Sequence, residues 1–81
     1  MMERRFLPTS TRREKLAVLN NALEACHKTR IGYRTPAVAD RVAEMLHPLG
    51  FGQPTEREYV RLIVDALSWE DKNGKEFRFA E

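Results

Sequence analysis

The stretch "LSWEDKNGKEFRFAE", residues 67–81, decides the fold class of this chain. It contains Asn73-Gly74, a dipeptide typical of tight two-residue turns, between two segments with aromatic residues. Since successive strand residues point to opposite faces, Phe77 and Phe79 share one face of an extended segment. We therefore predict a β-hairpin across residues 67–80.

The register of this hairpin can be predicted from its apolar residues. A two-residue turn at Asn73-Gly74 places Trp69 on the face opposite to Phe77. A three-residue loop, residues 72–74, pairs Trp69 with Phe77 and gathers the apolar side chains on one face. We favour the three-residue loop because a small core needs its aromatic residues together, and because Gly74 then occupies the left-handed bulge position.

Three segments with apolar residues at helical spacing precede the hairpin, and each begins beside a threonine suited to cap a helix. Glutamates three residues after the first and third threonines complete capping boxes, and a proline follows the second. We predict helices over about residues 12–28, 36–47 and 55–67, with Thr11, Thr35 and Thr55 as N-cap residues, Glu14 and Glu58 as capping-box partners, and Pro36 at the first position of the second helix.

The predicted fold is α+β, with three helices followed by a C-terminal β-hairpin. The basic stretch "HKTRIGYRTP", residues 27–36, joins the first two helices. Ile31 and Tyr33 are two residues apart, so a short strand near residues 30–34 would place both on one face and add a third strand to the hairpin. We predict a flexible arm over residues 1–10 and a single domain over residues 11–81.

Charge is unevenly distributed along the 81 residues, although the net charge is only +2. Residues 1–41 carry nine Lys/Arg against four Asp/Glu, while residues 42–81 carry five against eight. A basic half can attract an anionic partner, although a charged run is also common on a solvated face. No apolar run reaches the roughly 20 residues of a membrane span, and the N-terminus does not resemble a secretory signal. We expect a cytoplasmic protein without membrane contact.

The chain offers little that indicates catalysis or metal binding. Its single cysteine, Cys26, lies on the apolar stripe of the first helix and is predicted to be buried. His27 and His47 lack the spacing of a zinc site, and Asp40 with Glu44 is more typical of surface acid than of a cation site. We expect no enzymatic activity, no cofactor, no metal and no small-molecule substrate.

The order of helix, short extended segment, two further helices and hairpin resembles the winged helix-turn-helix family over roughly residues 11–80. In that family the third helix commonly enters the major groove of DNA and the wing contacts the backbone. The resemblance implies a DNA-binding surface with Thr55, Arg57 and Arg61 on the groove face, Lys72, Asn73 and Lys75 at the wing tip, and Arg34 as a phosphate contact. The alternative for the outer face of the third helix is a solvated stripe with an Arg61–Asp65 ion pair.

These features lead to hypotheses of different classes. The first is a small DNA-binding transcriptional regulator of bacterial or mobile-element type, which would bind double-stranded DNA as a homodimer. The second is a protein-interaction inhibitor, for example a phage anti-defence protein that binds a host protein complex. The third is a structural subunit that binds RNA. Trp69 and the phenylalanines could serve as a stacking platform for single strands, but in so small a protein we expect them in the core.

Overall fold

The structure is a computed structural model that describes residues 12–80, and it consists of three helices. They are α1 (Arg12–Lys28), α2 (Val38–Leu46) and α3 (Gln53–Asn73), with a 3-10 turn at His47–Leu49 after α2. Residues 12–80 contain no β-strand. The predicted α+β fold, with its C-terminal hairpin and its short strand near residues 30–34, is therefore wrong. The predicted arm, residues 1–10, lies outside the described residues.

Helix α3 continues through the segment that we predicted as the first strand of the hairpin. Its last turns contain Glu70, Asp71 and Lys72, which are residue types with low strand propensity. The helix ends at Asn73 because Gly74 is left-handed (φ 69°, ψ 24°) and donates its N–H to the Glu70 carbonyl at 2.8 Å. Asn73-Gly74 is thus a helix C-terminus, which uses the same positive φ of glycine as the predicted turn.

Helix α1 has its predicted bounds, whereas α2 begins later than predicted. The bounds of α1 confirm the predicted helix over 12–28, and the capping role of Thr11 lies outside the described residues. Helix α2 begins at Val38, two residues later than predicted, with Ala37 as its N-cap and no side-chain capping bond. Thr35 does not cap this helix, because its hydroxyl accepts a hydrogen bond from the Gly32 N–H at 2.9 Å.

The start of α3 also differs from the prediction. The helix begins at Gln53, and Gly52 is its N-cap without a side-chain capping bond. The capping box predicted from Thr55 and Glu58 is therefore wrong. The Glu58 carboxylate instead binds Lys15 Nζ at 2.9 Å and so links α3 to α1.

The turn after α1 is a Schellman motif rather than a strand. The Ile31 N–H donates to the Cys26 carbonyl at 2.8 Å, and the Arg30 N–H donates to the His27 carbonyl at 3.2 Å. Ile31 is 5% exposed and closes the end of the core, whereas Tyr33 is 44% exposed. The two residues were predicted to share a face, but they differ in burial because the chain turns here instead of extending.

Helices α1 and α3 run side by side in the same direction. Lys15 Nζ lies 2.9 Å from Glu58 Oε2, and His27 Nε2 lies 2.8 Å from Glu70 Oε2. The two residues of each pair are 43 positions apart in the chain. Since this separation is the same near the start and near the end of α1, the two helices run parallel and in register. Helix α2 packs against both. The core is formed by Leu19, Ala22, Leu23, Cys26, Ile31, Val42, Leu46, Tyr59, Ile63, Ala66 and Leu67.

After Gly74 the chain turns back, and residues 75–80 form a C-terminal tail that lies along α1 and α3. The Phe77 N–H donates to Glu70 Oε2 at 2.8 Å. The Asn20 side-chain amide accepts from the Phe79 N–H at 2.9 Å and donates to the Phe79 carbonyl at 3.0 Å. The tail is therefore fastened by side chains that bind its backbone groups.

The aromatic residues of this region come together without a hairpin. The rings of Trp69 and Phe77 meet edge to face at 5.5 Å between centroids, and those of Phe77 and Phe79 at 4.9 Å. Phe77 and Phe79 are half-buried, while Glu76 and Arg78 are exposed. The alternation of faces predicted from the sequence is thus present in the tail, although the tail pairs with no strand among the described residues.

Candidate nucleic-acid interface

Cationic side chains collect at the end of the molecule where the parallel helices α1 and α3 both finish. Arg34 Nε lies 3.2 Å from Asp71 Oδ2, which brings the turn after α1 against the last turns of α3. We call the exposed cations at this end the basic end, and they are Lys28, Arg30, Arg34, Lys72 and Lys75.

Arg30 holds a backbone conformation that costs free energy. Its φ is 60°, in the left-handed region where the corresponding residue of a Schellman motif is usually glycine. A residue with a Cβ is destabilised there by roughly 1–2 kcal/mol. Residues held in such conformations concentrate at functional sites, so the presence of an exposed arginine in place of glycine points to a use for its charge.

The carboxylates at this end are engaged by other groups. Glu70 binds His27 Nε2 and accepts from the Phe77 N–H, each at 2.8 Å, and Asp71 pairs with Arg34. Within residues 12–80, the remaining members of the basic end have no carboxylate oxygen within 4.0 Å of their charged nitrogens: Lys28, Arg30, Lys72 and Lys75. Four positive charges therefore face solvent without an acidic partner in the described part of the chain.

Two of these cations also have a local role. Lys28 and Lys72 lie in the last turns of α1 and α3. A cation at this position stabilises a helix by about 0.3–1 kcal/mol through the helix dipole. Arg30, Arg34 and Lys75 lie beyond the helix ends, so the dipole does not account for them.

A groove of about 310 Å³ opens beside Tyr33, between the turn after α1 and the end of α3. We call it the Tyr33 groove. The buried residues Cys26 and Leu67 lie beneath it, and Arg30 is an exposed residue of its lining. Its remaining lining is His27, Ile31, Gly32, Glu70 and Asp71.

The structure divides the seven residues that we predicted as a DNA-binding surface. Arg34, Lys72, Asn73 and Lys75 lie at the basic end, whereas Thr55, Arg57 and Arg61 lie in the first half of α3. At 1.5 Å per residue, Arg57 and Lys72 are separated by roughly 22 Å along the helix axis. Arg57, Arg61 and Lys72 fall within one narrow sector of α3 by helical spacing, so this stripe leads from the start of α3 to the basic end.

The roles implied by the wing do not fit these positions. Lys72 and Asn73 belong to α3, and the Asn73 amide donates to the Trp69 carbonyl at 2.8 Å, so no wing tip exists at these residues. Arg61 Nε lies 3.9 Å from Asp65 Oδ2, and both side chains are largely exposed. This is the geometry of the solvated ion pair that we gave as the alternative for the outer face of the third helix. Arg57 has no acidic partner in the described part of the chain.

Sequence reasoning missed Lys28, Arg30 and Tyr33 as candidate site residues. The basic character of residues 27–36 was visible in the sequence, but the positive φ of Arg30 was not, since the chain has no glycine there. The pairing of the turn with α3 depends on the distant contact between Arg34 and Asp71, for which the sequence contains no local signal.

The other polar candidates have structural partners. Cys26 is fully buried and its Sγ lies 3.9 Å from Met45 Sδ, which confirms the predicted burial. Burial, and secondarily the charge of Glu70, raises the pKa of the Cys26 thiol.

Burial likewise raises the pKa of Tyr59, where nearby Lys15 acts in the opposite direction. His47 Nδ1 lies 3.5 Å from Glu56 Oε1. Over residues 12–80, no group of three or more His, Cys, Asp or Glu side chains is placed to hold a metal ion.

None of the helices in the described part of the chain is long and apolar enough to cross a membrane. Comparisons of the chain with protein-family models, with curated proteins and with solved structures give no match.

Proposed function

We propose that this protein is a small DNA-binding protein that contacts phosphates through the basic end and the adjoining stripe of α3. Transcriptional regulation is the biological role that such a surface would serve. The observation that carries the proposal is Arg30, an exposed arginine in a left-handed conformation that favours glycine. The unpaired cations beside it supply the charge that phosphate contacts require.

The size of the surface supports contact with several phosphates. Lys28, Arg30 and Lys75 lie around the end of α3, and Arg57 adds a cation without an acidic partner in the described part of the chain, roughly 22 Å away along the stripe and beyond the Arg61–Asp65 ion pair. This length corresponds to about six base pairs at 3.4 Å each. Each contact releases counterions from DNA, so the affinity should fall steeply as the salt concentration rises.

The first test separates the charge of Arg30 from its backbone strain. Arg30→Gly should remove the penalty of the left-handed φ. Because glycine has more entropy in the unfolded chain, part of this gain is offset, and the net rise in stability should be roughly 0.5–1 kcal/mol. The same variant should weaken binding to a mixed-sequence duplex at low salt. Arg30→Lys should retain most of the affinity, since it keeps the charge. Fluorescence anisotropy and thermal unfolding measure the two effects.

Ala37→Gly is the matched control for this test. Ala37 also has a positive φ, of 58°, but it carries no charge. Its replacement should raise stability by a similar amount and leave DNA affinity unchanged. Equal affinity of Arg30→Gly and the unaltered protein would remove the principal support for the proposal.

A second test counts phosphate contacts at the end of α3. Lys72→Gln combined with Lys75→Gln should weaken binding to all duplex sequences alike. It should also reduce the slope of log affinity against log salt by about 1.8, or roughly 0.9 for each lost contact. The control is Arg12→Gln combined with Arg13→Gln, which removes the same charge from the start of α1, the opposite end of the parallel pair. Equal changes in slope for both double variants would indicate attraction by net charge rather than contact at the basic end.

The second candidate function is the binding of a protein partner, as a small interaction inhibitor would do. The exposed apolar side chains Leu49 and Trp69, which are 50% and 37% exposed, favour it. This function predicts no duplex binding even at low salt. Absence of measurable affinity for any oligonucleotide at low ionic strength would replace the first proposal with this one.

A further inference from the structure

The Tyr33 groove combines three kinds of group that suit a single ligand chemistry. Tyr33 is 44% exposed, Cys26 and Leu67 lie beneath the groove with 0% and 3% of their surface exposed, and Arg30 is an exposed residue of its lining. The Glu70 and Asp71 carboxylates line the side formed by α3. One side of the groove therefore offers carboxylate oxygens that are paired with His27 and Arg34 but keep lone pairs able to accept a further hydrogen bond, and Arg30 supplies a cation beside it.

This arrangement disfavours an anion inside the groove. A phosphate beside Glu70 and Asp71 would meet only acceptor oxygens, which already bind His27 and Arg34, whereas a phosphate beside Arg30 meets a cation that has no acidic partner among the described residues. A flat, neutral ring with N–H groups suits the interior, because carboxylates accept hydrogen bonds and an exposed tyrosine ring offers a face for stacking. A ring of this kind that is linked to a phosphate is a nucleotide.

The base must be unpaired to enter the groove. In a duplex the bases are stacked and their Watson–Crick edges are occupied, so neither the ring face nor the amino groups can reach Tyr33 and Asp71. An unpaired base exposes both. Cytosine, adenine and guanine carry an exocyclic amino group, and thymine does not.

We propose that the Tyr33 groove binds one unpaired, amino-bearing nucleobase of a DNA strand whose phosphates lie on the basic end. This inference rests on the proposed function and adds to it a preference for single-stranded DNA over fully paired DNA. Tyr33 stacks on the base, Asp71 accepts from its amino group, and Arg30 contacts the adjoining phosphate.

The test compares a blunt duplex, the same duplex with a single-stranded overhang, and single strands of deoxycytidine or deoxythymidine, by fluorescence anisotropy with the full chain. The unaltered protein should bind the overhang and the deoxycytidine strand more tightly than the blunt duplex or the deoxythymidine strand. Tyr33→Ala should weaken binding of the deoxycytidine strand by about 5- to 150-fold, and that of the blunt duplex much less. Tyr33→Phe, which keeps the stacking ring, should behave like the unaltered protein.

Leu49→Ala is the control, since it shortens an equally exposed apolar side chain outside the groove, and circular dichroism checks that each variant is folded. If Tyr33→Ala weakens all DNA forms by one factor, or weakens none, the groove proposal is overturned while DNA binding stands. Equal affinity for deoxycytidine and deoxythymidine strands also overturns it. If deoxycytidine monophosphate alone binds as tightly as the strand, the ligand is a free nucleotide and not a strand. If no oligonucleotide binds at low salt, the proposed function itself fails.

Discussion

Single residues show where this chain departs from the local preferences of its sequence. Arg30 and Ala37 hold φ values of 60° and 58° on either side of the turn between α1 and α2, where glycine or asparagine would be less strained. Ala37 directly precedes α2 and brings the chain into that helix, so its strain has a structural role. Arg30 additionally places a charge at the basic end, which is why we assign function to it and not to Ala37.

Cys26 leads to a prediction at the same scale. It is fully buried, and burial raises the pKa of its thiol, so little thiolate forms and a reagent cannot reach it. A thiol reagent at neutral pH should label the native protein far more slowly than the urea-unfolded protein, and labelling should speed up as denaturant opens the fold. Fast labelling of the native protein would contradict the burial of Cys26.

The same pKa shift makes stability depend on pH. Because the folded thiol has the higher pKa, the native state retains its proton where the unfolded chain loses it. This contribution to stability is complete at pH values below the pKa of the unfolded thiol and decreases as the pH rises toward the higher pKa of the folded thiol.

At the scale of elements, the outcome depends on Gly74. Both the predicted hairpin and the observed C-terminus of α3 require a left-handed residue at this position. The helix prevails because its last turns are held by residues distant in the chain, Glu70 by His27 and Asp71 by Arg34. Trp69 and Phe77 come into contact in either case, so their contact does not discriminate between the two structures.

Gly74→Ala should therefore destabilise the protein by roughly 1–2 kcal/mol, because alanine disfavours the φ of 69°. Gly32→Ala is the matched control. Its φ is not left-handed, and the nearest atom to an added Cβ is Thr35 Oγ1 at 4.0 Å, so this change should be neutral or slightly stabilising. Urea denaturation followed by circular dichroism measures both, and equal midpoints would contradict the assigned end of α3.

For the whole molecule, the C-terminal tail completes the packing of α1 against α3. Its backbone is held by Asn20 and Glu70, and its two phenylalanines join Trp69 in one aromatic cluster. In a chain of 81 residues the buried surface is small, so these few contacts contribute substantially to the total stability.

Asn20→Ala should release this tail. The variant loses both hydrogen bonds to the Phe79 backbone and should be less stable by roughly 1–3 kcal/mol. Asn21→Ala is the control, since Asn21 is exposed and makes none of the contacts that hold the tail. Hydrogen exchange at the Phe79 amide should become fast in the first variant and stay slow in the second. Unchanged protection in both would show that the aromatic contacts alone hold the tail.

The sequence by itself determined the features that depend on neighbouring residues. The 3.6-residue spacing of Leu19, Leu23 and Cys26 defined α1 and its buried face, and the alternation of Phe77 and Phe79 defined one face of an extended segment. The basic character of residues 27–36 was equally plain. These patterns are local, because the backbone period alone fixes which side chains share a face.

Only the tertiary structure decided between the two structures compatible with Asn73-Gly74, because a positive φ serves a turn and a helix end equally well. The tertiary structure also placed Arg30 at the left-handed position of a Schellman motif, where glycine is usual. It brought Arg34 into contact with Asp71, which lies 37 positions away in the chain. The candidate site exists because α1 and α3 run parallel and end together. That direction is set by packing between residues far apart in the chain, which no local pattern contains.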